Sequence, residues 1–312
     1  MTKENLILRL SNELGNQLFM YAASYSFAKK LNRNFYIDNE TAFKLKKNIS
    51  SYGLDEFKIN GSIAPKRLKF LNISGYLKRK FLLKKEKIKR KKNFYVEHKN
   101  KEKITFFDEK FLENKFSENL FIEGHFESEK YFKKYKNEII DQYDFQLKNF
   151  YSQNIFYNQI LNTNSVAICI RQNRFSEKLR KINSSDINKS KEYSLEQIKY
   201  VKNAINYIKG KLSNPKFFIW SNNFDGLNEF FPSEDYTHIK NDQNLEKGRR
   251  PLLDLFLMSQ AKHFIVIPSS FNWWGAYLSK SKNKIIIRPD KKNFTNFKIN
   301  NSDFWPNEWI KI

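Results

Sequence analysis

The sequence contains one cysteine, few glycines and prolines, and no long apolar run. The lone cysteine, Cys169, cannot form an intramolecular disulfide, and such sparse cysteine usage is typical of a reducing compartment. Leu6 to Leu10 is a short apolar run interrupted by Arg9, unlike a signal peptide, and no stretch approaches the roughly 20 apolar residues of a membrane span. We therefore expect a cytoplasmic protein that is soluble or at most peripheral on a membrane.

Acidic residues are also scarce, since 33 Asp and Glu residues oppose 57 Lys and Arg residues and leave a formal net charge of +24. The segment from Lys66 to Lys103, here called the basic segment, holds 16 basic residues and three acids, a net charge of +13. Nucleic acid, an anionic membrane surface or a phosphorylated substrate would each explain it, and a solvated basic face without a partner is the plainest alternative.

A membrane surface explains the basic segment better than nucleic acid does. Apolar residues punctuate its charges as in a basic amphipathic helix that lies on lipid, namely Leu77, Phe81, Leu82, Leu83 and Ile88. The sequence has no helix-turn-helix pattern, zinc-ligand spacing or aromatic RNA-binding motif, so a nucleic-acid partner would rest on charge alone. We expect an anionic membrane surface as a partner and no nucleic acid.

The order of apolar patterns predicts an α/β fold. With 312 residues, 40% of them hydrophobic, the chain can form two globular domains. The run Leu6 to Leu10 predicts a strand, and apolar residues at three- and four-residue spacing after it predict a helix with one apolar face. A second alternating series opens with the apolar run Val166 to Ile170, after a polar stretch at 148–164. We predict two Rossmann-like lobes, at 1–150 (which includes the basic segment, 66–103) and at 165–312.

Helix starts can be predicted in the second series. Residues 194–197, Ser-Leu-Glu-Gln, have the pattern of a capping box, so we expect a helix to begin there. Pro251 favours the first turn of another helix. Ser269 and Ser270 lie just ahead of a third helix that opens at Phe271, where unpaired N–H groups and the helix dipole attract a phosphate.

Two further turns are candidate anion sites, because ligands of parallel sheets bind where loops leave the carboxyl ends of strands. Gly15 stands with Asn16 and Gln17 at a strand-to-helix turn, where glycine lets backbone N–H groups approach an anion; an ordinary helix start has the same pattern. Arg171 follows a strand directly, and Arg174 lies three residues on. Arginine forks in such places can grip a pyrophosphate, although surface arginines are common.

The sequence offers no pattern for a metal site. No Asp-x-Asp triplet follows a strand, and no His or Cys cluster has ligand spacing. We therefore expect no metal and no other cofactor.

Four stretches carry longer motifs. Residues 15–22 read G-N-Q-L-F-M-Y-A, and residues 124–132 read G-H-F-E-S-E-K-Y-F. A D-L and an M-S pair lie within 254–259, followed by S-S-F-N-W-W-G-A-Y-L at 269–278 and P-N-E-W at 306–309. In the same order, they resemble the opening signature, the G-Y-F-Q-S-E-K-Y-F segment, the D-L-x-L-M-S … N-S-T-F-S-W-W-G-A-W-L stretch and the ending of glycosyltransferase family 11, the α-1,2-fucosyltransferases.

The resemblance implies a GT-B-like inverting enzyme that moves fucose from GDP-fucose to a galactoside in a bacterial surface glycan such as an O-antigen. It implies a nucleotide-sugar donor bound by the second lobe, an oligosaccharide or lipid-linked glycan acceptor on the side of the first lobe, and no metal. Catalytic roles then fall on Arg171, Asn16 and Glu13. Donor-binding roles fall on Gly15, Gln17, Arg174, Ser221, Asp254, Ser269, Ser270 and Phe271.

The sequence departs from the family pattern at two motifs. H-x-R-R-G-D-Y appears as C-I-R-Q-N-R-F at 169–175, which keeps only the first arginine, and Arg174 is near enough to replace the lost one. F-S-D-D appears as W-S-N-N at 220–223. A relative that uses another nucleotide sugar and a catalytically silent glycan-binding relative therefore stay open.

The base that accepts the proton of the acceptor hydroxyl is also open. Glu13 stands where the family usually has glycine, beside the first candidate turn. Glu127 and Glu129 are further candidates, and each of the three acids could be an ordinary surface residue.

Overall fold

A computed structural model describes residues 4–44, 52–86, 90–102, 104–177, 183–241, 249–295 and 299–312. The chain divides into two compact units. The first unit comprises Met1–Gln146 and Ser302–Pro306, and the second comprises Leu147–Asn301 and Asn307–Ile312. Ile88, which the sequence places among the apolar residues of the basic segment, lies outside the described residues.

The first unit is built on a parallel sheet of five strands in the described part of the chain, in the order β3-β2-β1-β5-β4. The strands are β1 (Asn5–Arg9), β2 (Asn34–Asp38), β3 (Ser62–Ile63), β4 (Lys92–Val96) and β5 (Phe116–Glu123). Leu6, Ile7 and Leu8 of the central strand β1 are completely buried. A continuous apolar run is what a parallel strand covered on both faces requires.

Four α-helices accompany this sheet in the described residues: α1 (Leu14–Lys30), α2 (Thr41–Lys44), α3 (Asn72–Lys85) and α4 (Lys136–Gln142). The sequence predicted one apolar face on α1, but the helix is enclosed on nearly all sides from Leu14 to Ala28. Small residues make this possible, because Ser24 and Ser26 on the less apolar side are also fully buried. α1 is therefore the core of the first unit and not a half-exposed cover.

A short C-terminal stretch completes the first unit. The Asp303 carboxylate accepts a hydrogen bond from the Phe107 backbone N–H (3.0 Å) and forms an ion pair with Lys130 (2.5 Å). The Phe304 ring packs on Phe19 of α1 with centroids 6.1 Å apart. Residues far apart in sequence thus meet in one core.

The second unit is built on a parallel sheet whose described strands follow the order β11-β10-β9-β6-β7-β8. The strands are β6 (Asn164–Ile170), β7 (Pro215–Ser221), β8 (Tyr236–His238), β9 (His263–Ile265), β10 (Ile286–Arg288) and β11 (Ile310–Lys311). The helices are α5 (Lys148–Tyr151), α6 (Ile155–Asn162), α7 (Ser184–Lys209), α8 (Arg249–Ser259) and α9 (Ser270–Leu278). The predicted α/β class with two Rossmann-like sheets is confirmed.

The predicted start of α7 is wrong. The helix begins at Ser184, where the Asn183 side chain caps it by accepting a hydrogen bond from the Asp186 N–H (2.8 Å). Ser194 lies in the interior and donates its hydroxyl proton to the Ser190 carbonyl one turn earlier (2.9 Å). The capping-box pattern misleads because a serine in a helix interior can satisfy its hydroxyl in this way.

No helix in the described ranges is both long enough and apolar enough to cross a membrane.

Candidate active site

Arg171 leaves the carboxyl end of β6 in a position fixed by a buried glutamine. Gln197 of α7 accepts a hydrogen bond from the Arg171 N–H (2.9 Å) and donates one to the Arg171 carbonyl (2.9 Å). Gln197 is completely buried, so this bridge cannot exchange with solvent. The guanidinium itself pairs with the Glu177 carboxylate. The backbone of Arg171 is therefore held rigidly, while its charge faces a carboxylate on the same loop.

Arg174 lies exposed on the same loop, just after a left-handed residue. Asn173, at the glycine position of the family motif, has φ 54°, and asparagine is among the side chains that tolerate this conformation best. Burial raises the pKa of Tyr193 to about 12, and the charges of Arg174 and Arg171 oppose that rise. Both predicted arginines therefore lie near one tyrosine at the carboxyl end of β6.

The two departures from the family pattern contact each other. Asn222 accepts a hydrogen bond from the Gln172 N–H (2.8 Å) and donates one to the Gln172 carbonyl (2.9 Å). The Gln172 side chain donates to the carbonyls of Asn223 (2.9 Å) and Asp225 (3.0 Å). An ionised aspartate at 222 could accept but not donate. The neutral residues therefore form a consistent network between the loops after β6 and β7.

Ser221, at the end of β7, was predicted to bind the nucleotide-sugar donor. Its hydroxyl forms hydrogen bonds within this loop. It donates to the Asn223 carbonyl, and its oxygen accepts from the Asn223 N–H at 3.3 Å. In this arrangement Ser221 closes the turn that carries Asn222.

The start of α9 presents polar groups from a rigid base. Ser269, at the position before the helix, is partly exposed, as are Ser270 and Phe271. Within the described residues, the Ser269 hydroxyl makes no capping hydrogen bond. The first N–H groups of a helix have no partner inside it, so an anion or a hydroxyl can satisfy them.

Packing behind this helix fixes its position. Trp273 and Trp274 are both completely buried, so both tryptophans belong to the core. A Cβ atom at Gly275 would lie 2.4 Å from the Met258 sulfur, which shows how closely α9 approaches α8. The N-terminus of α9 is thus held in place by its own core residues.

Asp254 is a buried carboxyl group on α8. Burial raises its pKa to about 6, while Arg250 and a hydrogen bond from Asn241 act in the opposite direction. The Arg250 Nε lies 3.8 Å from the carboxylate, and Asn241 is held in turn by Asn154 (3.1 Å). A carboxyl group with a raised pKa, near other predicted site residues, is typical of a functional position.

Cys169 of β6 lies next to Asn272 of α9. Burial raises the pKa of the Cys169 thiol to about 12; the neighbouring Asn272 amide and the Arg171 charge oppose the rise, and Asp254 adds to it. Asn272 is 1% exposed, and its amide has no nitrogen or oxygen partner in the described structure. Since β6 and β9 are neighbouring parallel strands, Arg171 and the start of α9 follow their carboxyl ends at the same edge of the sheet.

In the first unit, Gln17 builds the turn after β1. Its side chain donates to the Asn12 carbonyl (2.7 Å) and accepts from the Gly53 N–H (3.0 Å), and it is 1% exposed. Asn12 has φ 66°, a left-handed conformation that asparagine tolerates well. Gly15 is buried and Asn16 partly exposed in the first turn of α1.

A buried carboxylate that the sequence did not single out organises the end of β5. Glu97 accepts hydrogen bonds from the N–H groups of His125 (2.7 Å) and Phe126 (3.1 Å). Burial raises the pKa of Glu97, and these two hydrogen bonds oppose the rise. A Cβ atom at Gly124 would lie 2.4 Å from the Glu97 Cβ, so glycine is required there. His125 in turn lies 2.8 Å from the Asn12 side chain.

One arginine of the basic segment is also internal. Arg79 of α3 donates to the Glu123 carboxylate at the end of β5 through its Nε (2.6 Å). Arg9 at the end of β1 donates to the same carboxylate (3.2 Å). Two arginines from different elements therefore share one carboxylate at this edge of the sheet.

The three candidate bases differ in environment. Glu13 is exposed at the position before α1, and Glu127 is partly exposed. Glu129 is buried and pairs with Lys133 (3.5 Å). Nothing in these positions brings one of the three to a reacting group, so the base stays a prediction.

A search for metal ligands finds no group of three or more His, Cys, Asp or Glu side chains that could hold an ion in the described ranges. The expectation that no metal is needed stays a prediction.

Comparison with known proteins identifies the class. Over 98% of both chains, the sequence is 26% identical to the α-1,2-colitosyltransferase of Escherichia coli. It is 24% identical to the O-antigen biosynthesis glycosyltransferase WbnK of Escherichia coli, over 97% of this chain and 99% of that protein.

Among solved structures, the α-1,6-fucosyltransferase NodZ, described from Bradyrhizobium, aligns with a TM-score of 0.54, covering 94% of this chain and 98% of its own at 16% identity. This likeness confirms the GT-B-like fold. The model of the family "Glycosyl transferase family 11" matches residues 5–312. The chain is therefore an enzyme that transfers a sugar, and it belongs to glycosyl transferase family 11.

Proposed function

We propose that the enzyme is an inverting α-1,2-fucosyltransferase that moves fucose from GDP-fucose to a galactoside in a bacterial surface glycan such as an O-antigen. The observation that carries the proposal is that Arg171 and the start of α9 follow the carboxyl ends of the neighbouring parallel strands β6 and β9. A guanidinium fork and the N-terminus of a helix together suit a diphosphate. The structural neighbour NodZ is described as an α-1,6-fucosyltransferase soaked with GDP-fucose, which supports this donor.

The reaction would be a single displacement. The acceptor hydroxyl oxygen bonds to the anomeric carbon as the bond from that carbon to the diphosphate oxygen breaks, and the electron pair leaves with the diphosphate. Arg171 and the N–H groups of α9, with Ser269 and Ser270, stabilise the developing charge. Because Gln197 fixes the backbone of Arg171, the guanidinium needs only to turn from Glu177 to the diphosphate.

The first unit would serve the acceptor. We assign Glu13 as the base that takes the hydroxyl proton, with Asn16 as a polar contact beside it and Gly15 supplying backbone N–H groups. Gln17 acts as a positioning residue, because its buried side chain bonds to the backbone of the turn. A Glu13→Gln variant tests the base. It should lose turnover without losing donor affinity, and unchanged turnover would shift the role to Glu127 or Glu129.

We further propose that transfer requires no metal ion, because the arginine and the helix N-terminus can supply the positive charge that the departing diphosphate needs. Transfer should then continue in EDTA. Complete loss of rate in EDTA, restored by manganese, would contradict this.

Another donor is a second candidate. The relative that is 26% identical is named an α-1,2-colitosyltransferase, so a nucleotide-activated colitose is a specific alternative to GDP-fucose. The neutral network of Gln172 and Asn222 replaces charged residues of the family pattern near Arg171, which supports testing more than one sugar.

The decisive experiment is a thermal-shift comparison of GDP with UDP at matched concentration, followed by transfer assays with GDP-fucose. Saturating GDP should raise the melting temperature, since a ligand at 100 times its Kd adds about 2.7 kcal/mol to the free energy of unfolding. A preference for UDP would overturn the fucose proposal. A GDP response without fucose transfer would favour colitose.

We also propose that the enzyme works in the cytoplasm, peripherally on the inner face of the membrane. Two acceptor classes are open, a lipid-linked glycan and a free oligosaccharide. A lipid-linked acceptor would place the enzyme at the membrane. The relative named an O-antigen biosynthesis glycosyltransferase supports a surface glycan as the product.

A further inference from the structure

Helix α3 exposes large apolar side chains along one face. Ile73 is 78% exposed, Tyr76 40%, Leu77 57% and Phe81 56%. Their spacing of three and four residues places them side by side on the helix surface. No residue of α3, which is described throughout, is buried. A contiguous apolar surface of this kind marks an interaction site more often than a solvated face.

The opposite side of α3 fixes which face points outward. A Cβ atom at Gly75 would lie 2.6 Å from the Phe70 carbonyl carbon, so the helix approaches that backbone closely. One turn further on, Arg79 pairs with the partly buried Glu123. These contacts hold the helix by a narrow inner face and leave the apolar face without a cover in the described structure.

The exposed face is also strongly basic. Lys78, Lys80, Lys84 and Lys85 are all exposed, and α3 contains no acidic residue. The Lys85 ammonium lies 4.2 Å from the centre of the Phe81 ring, so charge and apolar surface are in direct contact.

Other lysines of the basic segment are used internally. Lys69 is a buried cation, paired with Glu40 (2.5 Å) and hydrogen-bonded to Asn39 (3.0 Å). Lys92 donates to the Glu86 carbonyl. The segment is therefore not one uniform charged surface, and on α3 exposed lysines and exposed apolar side chains occur together.

We propose that the outer face of α3 docks on an anionic lipid bilayer. Apolar side chains would enter the boundary between headgroups and acyl chains, while the lysine stems extend along them and place their ammonium groups at anionic headgroups. Nucleic acid would use the lysines but would gain little from four exposed apolar side chains. The proposal rests on the proposed function only in that a lipid-linked acceptor would be met at such a surface.

Vesicle flotation of the full chain tests the proposal. The vesicles consist of phosphatidylcholine with or without phosphatidylglycerol, at low and at physiological salt. The wild-type protein should float with the anionic vesicles and bind them less tightly as salt rises. Leu77→Ser combined with Phe81→Ser should lower the coefficient for partition of the protein onto anionic vesicles by about tenfold or more. Lys78, Lys80 and Lys84, each changed to Gln, should weaken it by roughly a hundredfold.

Matched controls come from the second unit. Leu195 and Phe150, 56% and 47% exposed, are changed to Ser. The exposed Lys189, Lys191 and Lys199 are changed to Gln. These variants should float like the wild type, and circular dichroism confirms that every variant is folded. Failure of the wild type to bind anionic vesicles at either salt, or equal loss in test and control variants, would overturn the proposal.

Sedimentation tests whether a second copy of the chain, and not a lipid bilayer, covers the apolar face of α3. A concentration-dependent dimer that Leu77→Ser and Phe81→Ser abolish, without vesicle binding by the wild type, would overturn the lipid assignment. Sugar-transfer assays with a soluble acceptor test the proposed function independently of membrane docking. The α3 variants should keep it, and a wild-type protein that floats but transfers nothing would contradict the function alone.

Discussion

The two sheets differ in how charges are placed at the carboxyl ends of their central strands. At the end of β1, the arginines Arg9 and Arg79 share the carboxylate of Glu123, and Glu97 is satisfied by backbone N–H groups. At the end of β6, Arg171 is paired with Glu177 on the following loop, and Arg174 is exposed. The charges of the first edge join separate elements of the sheet, whereas those of the second lie on one loop.

This difference distinguishes ion pairs that hold the fold together from ion pairs that a ligand can replace. An ion pair inside the edge of a sheet holds elements together, and its partners cannot be exchanged without cost. A pair on an exposed loop contributes little to stability and can be replaced by a ligand. Variants that remove one arginine from each edge should therefore fail in different ways.

The largest effect is expected for Arg171→Ala. Removing a preorganised donor to the departing group should lower kcat by a factor of about 10² to 10³, with the fold intact, by analogy with oxyanion donors. Steady-state transfer assays and a melting curve measure the two quantities together. Near-wild-type turnover would show that the diphosphate is held elsewhere, with Arg174 as the next variant to make.

A second test concerns the buried acid of the second unit. The pKa of Asp254 is raised to about 6 in the folded chain, so the folded state favours the neutral form. The stabilisation that neutral Asp254 contributes is complete below the usual pKa of about 4 and is lost as the pH rises through about 6. Asp254→Asn should therefore raise the free energy of unfolding at pH 7.5 by up to about 3 kcal/mol.

Denaturant titrations from pH 4 to 8 measure this. The gain of Asp254→Asn should shrink as the pH falls, and GDP should stabilise the variant less than the wild type. A gain that does not depend on pH would mean that the ionisation of Asp254 does not limit stability.

A third variant, Arg79→Ala, removes one of the two arginines that share Glu123 in the first unit. Glu123 would keep only Arg9, so we expect a loss of about 2 kcal/mol in the free energy of unfolding, below the cost of an isolated buried charge. Transfer to a soluble acceptor should stay close to the wild-type rate, in contrast to Arg171→Ala. If Arg79→Ala instead abolishes transfer at unchanged stability, the contrast between the two edges is lost.

The smallest effect is expected for Glu177→Gln. This change removes the carboxylate that Arg171 contacts, and the pair is near the surface, so stability should change little. The affinity for GDP should rise by up to about fivefold, because the guanidinium no longer has to leave a charged partner. Calorimetric titration with GDP measures this, and weaker binding would show that Glu177 supports the site and does not compete for it.

The sequence predicted the parts of the fold that depend on local pattern. The runs at Leu6 and Val166 became the central strands of the two sheets, because continuous apolar stretches fit strands covered on both faces. The start of α7 and the enclosure of α1 were missed, because side-chain hydrogen bonding and the size of neighbouring residues decide them.

The candidate site was predictable to a similar degree. Motif positions led to Arg171 and the start of α9, but Gln197, Glu97 and Asn272 were not singled out. Each acts through contacts with residues distant in sequence, such as the bridge from Gln197 to Arg171 across 26 positions. No local pattern distinguishes such a buried polar residue from an exposed one.

The C-terminal stretch 302–306 has a consequence for synthesis on the ribosome. Phe19 is translated before its partner Phe304, and almost the whole second unit, 147–301, lies between them in sequence. The first unit therefore cannot complete its core in step with translation, although N-terminal domains commonly fold first. A nascent chain halted before residue 302 would hold an unfinished first unit, a condition in which chaperones find exposed apolar surface to bind.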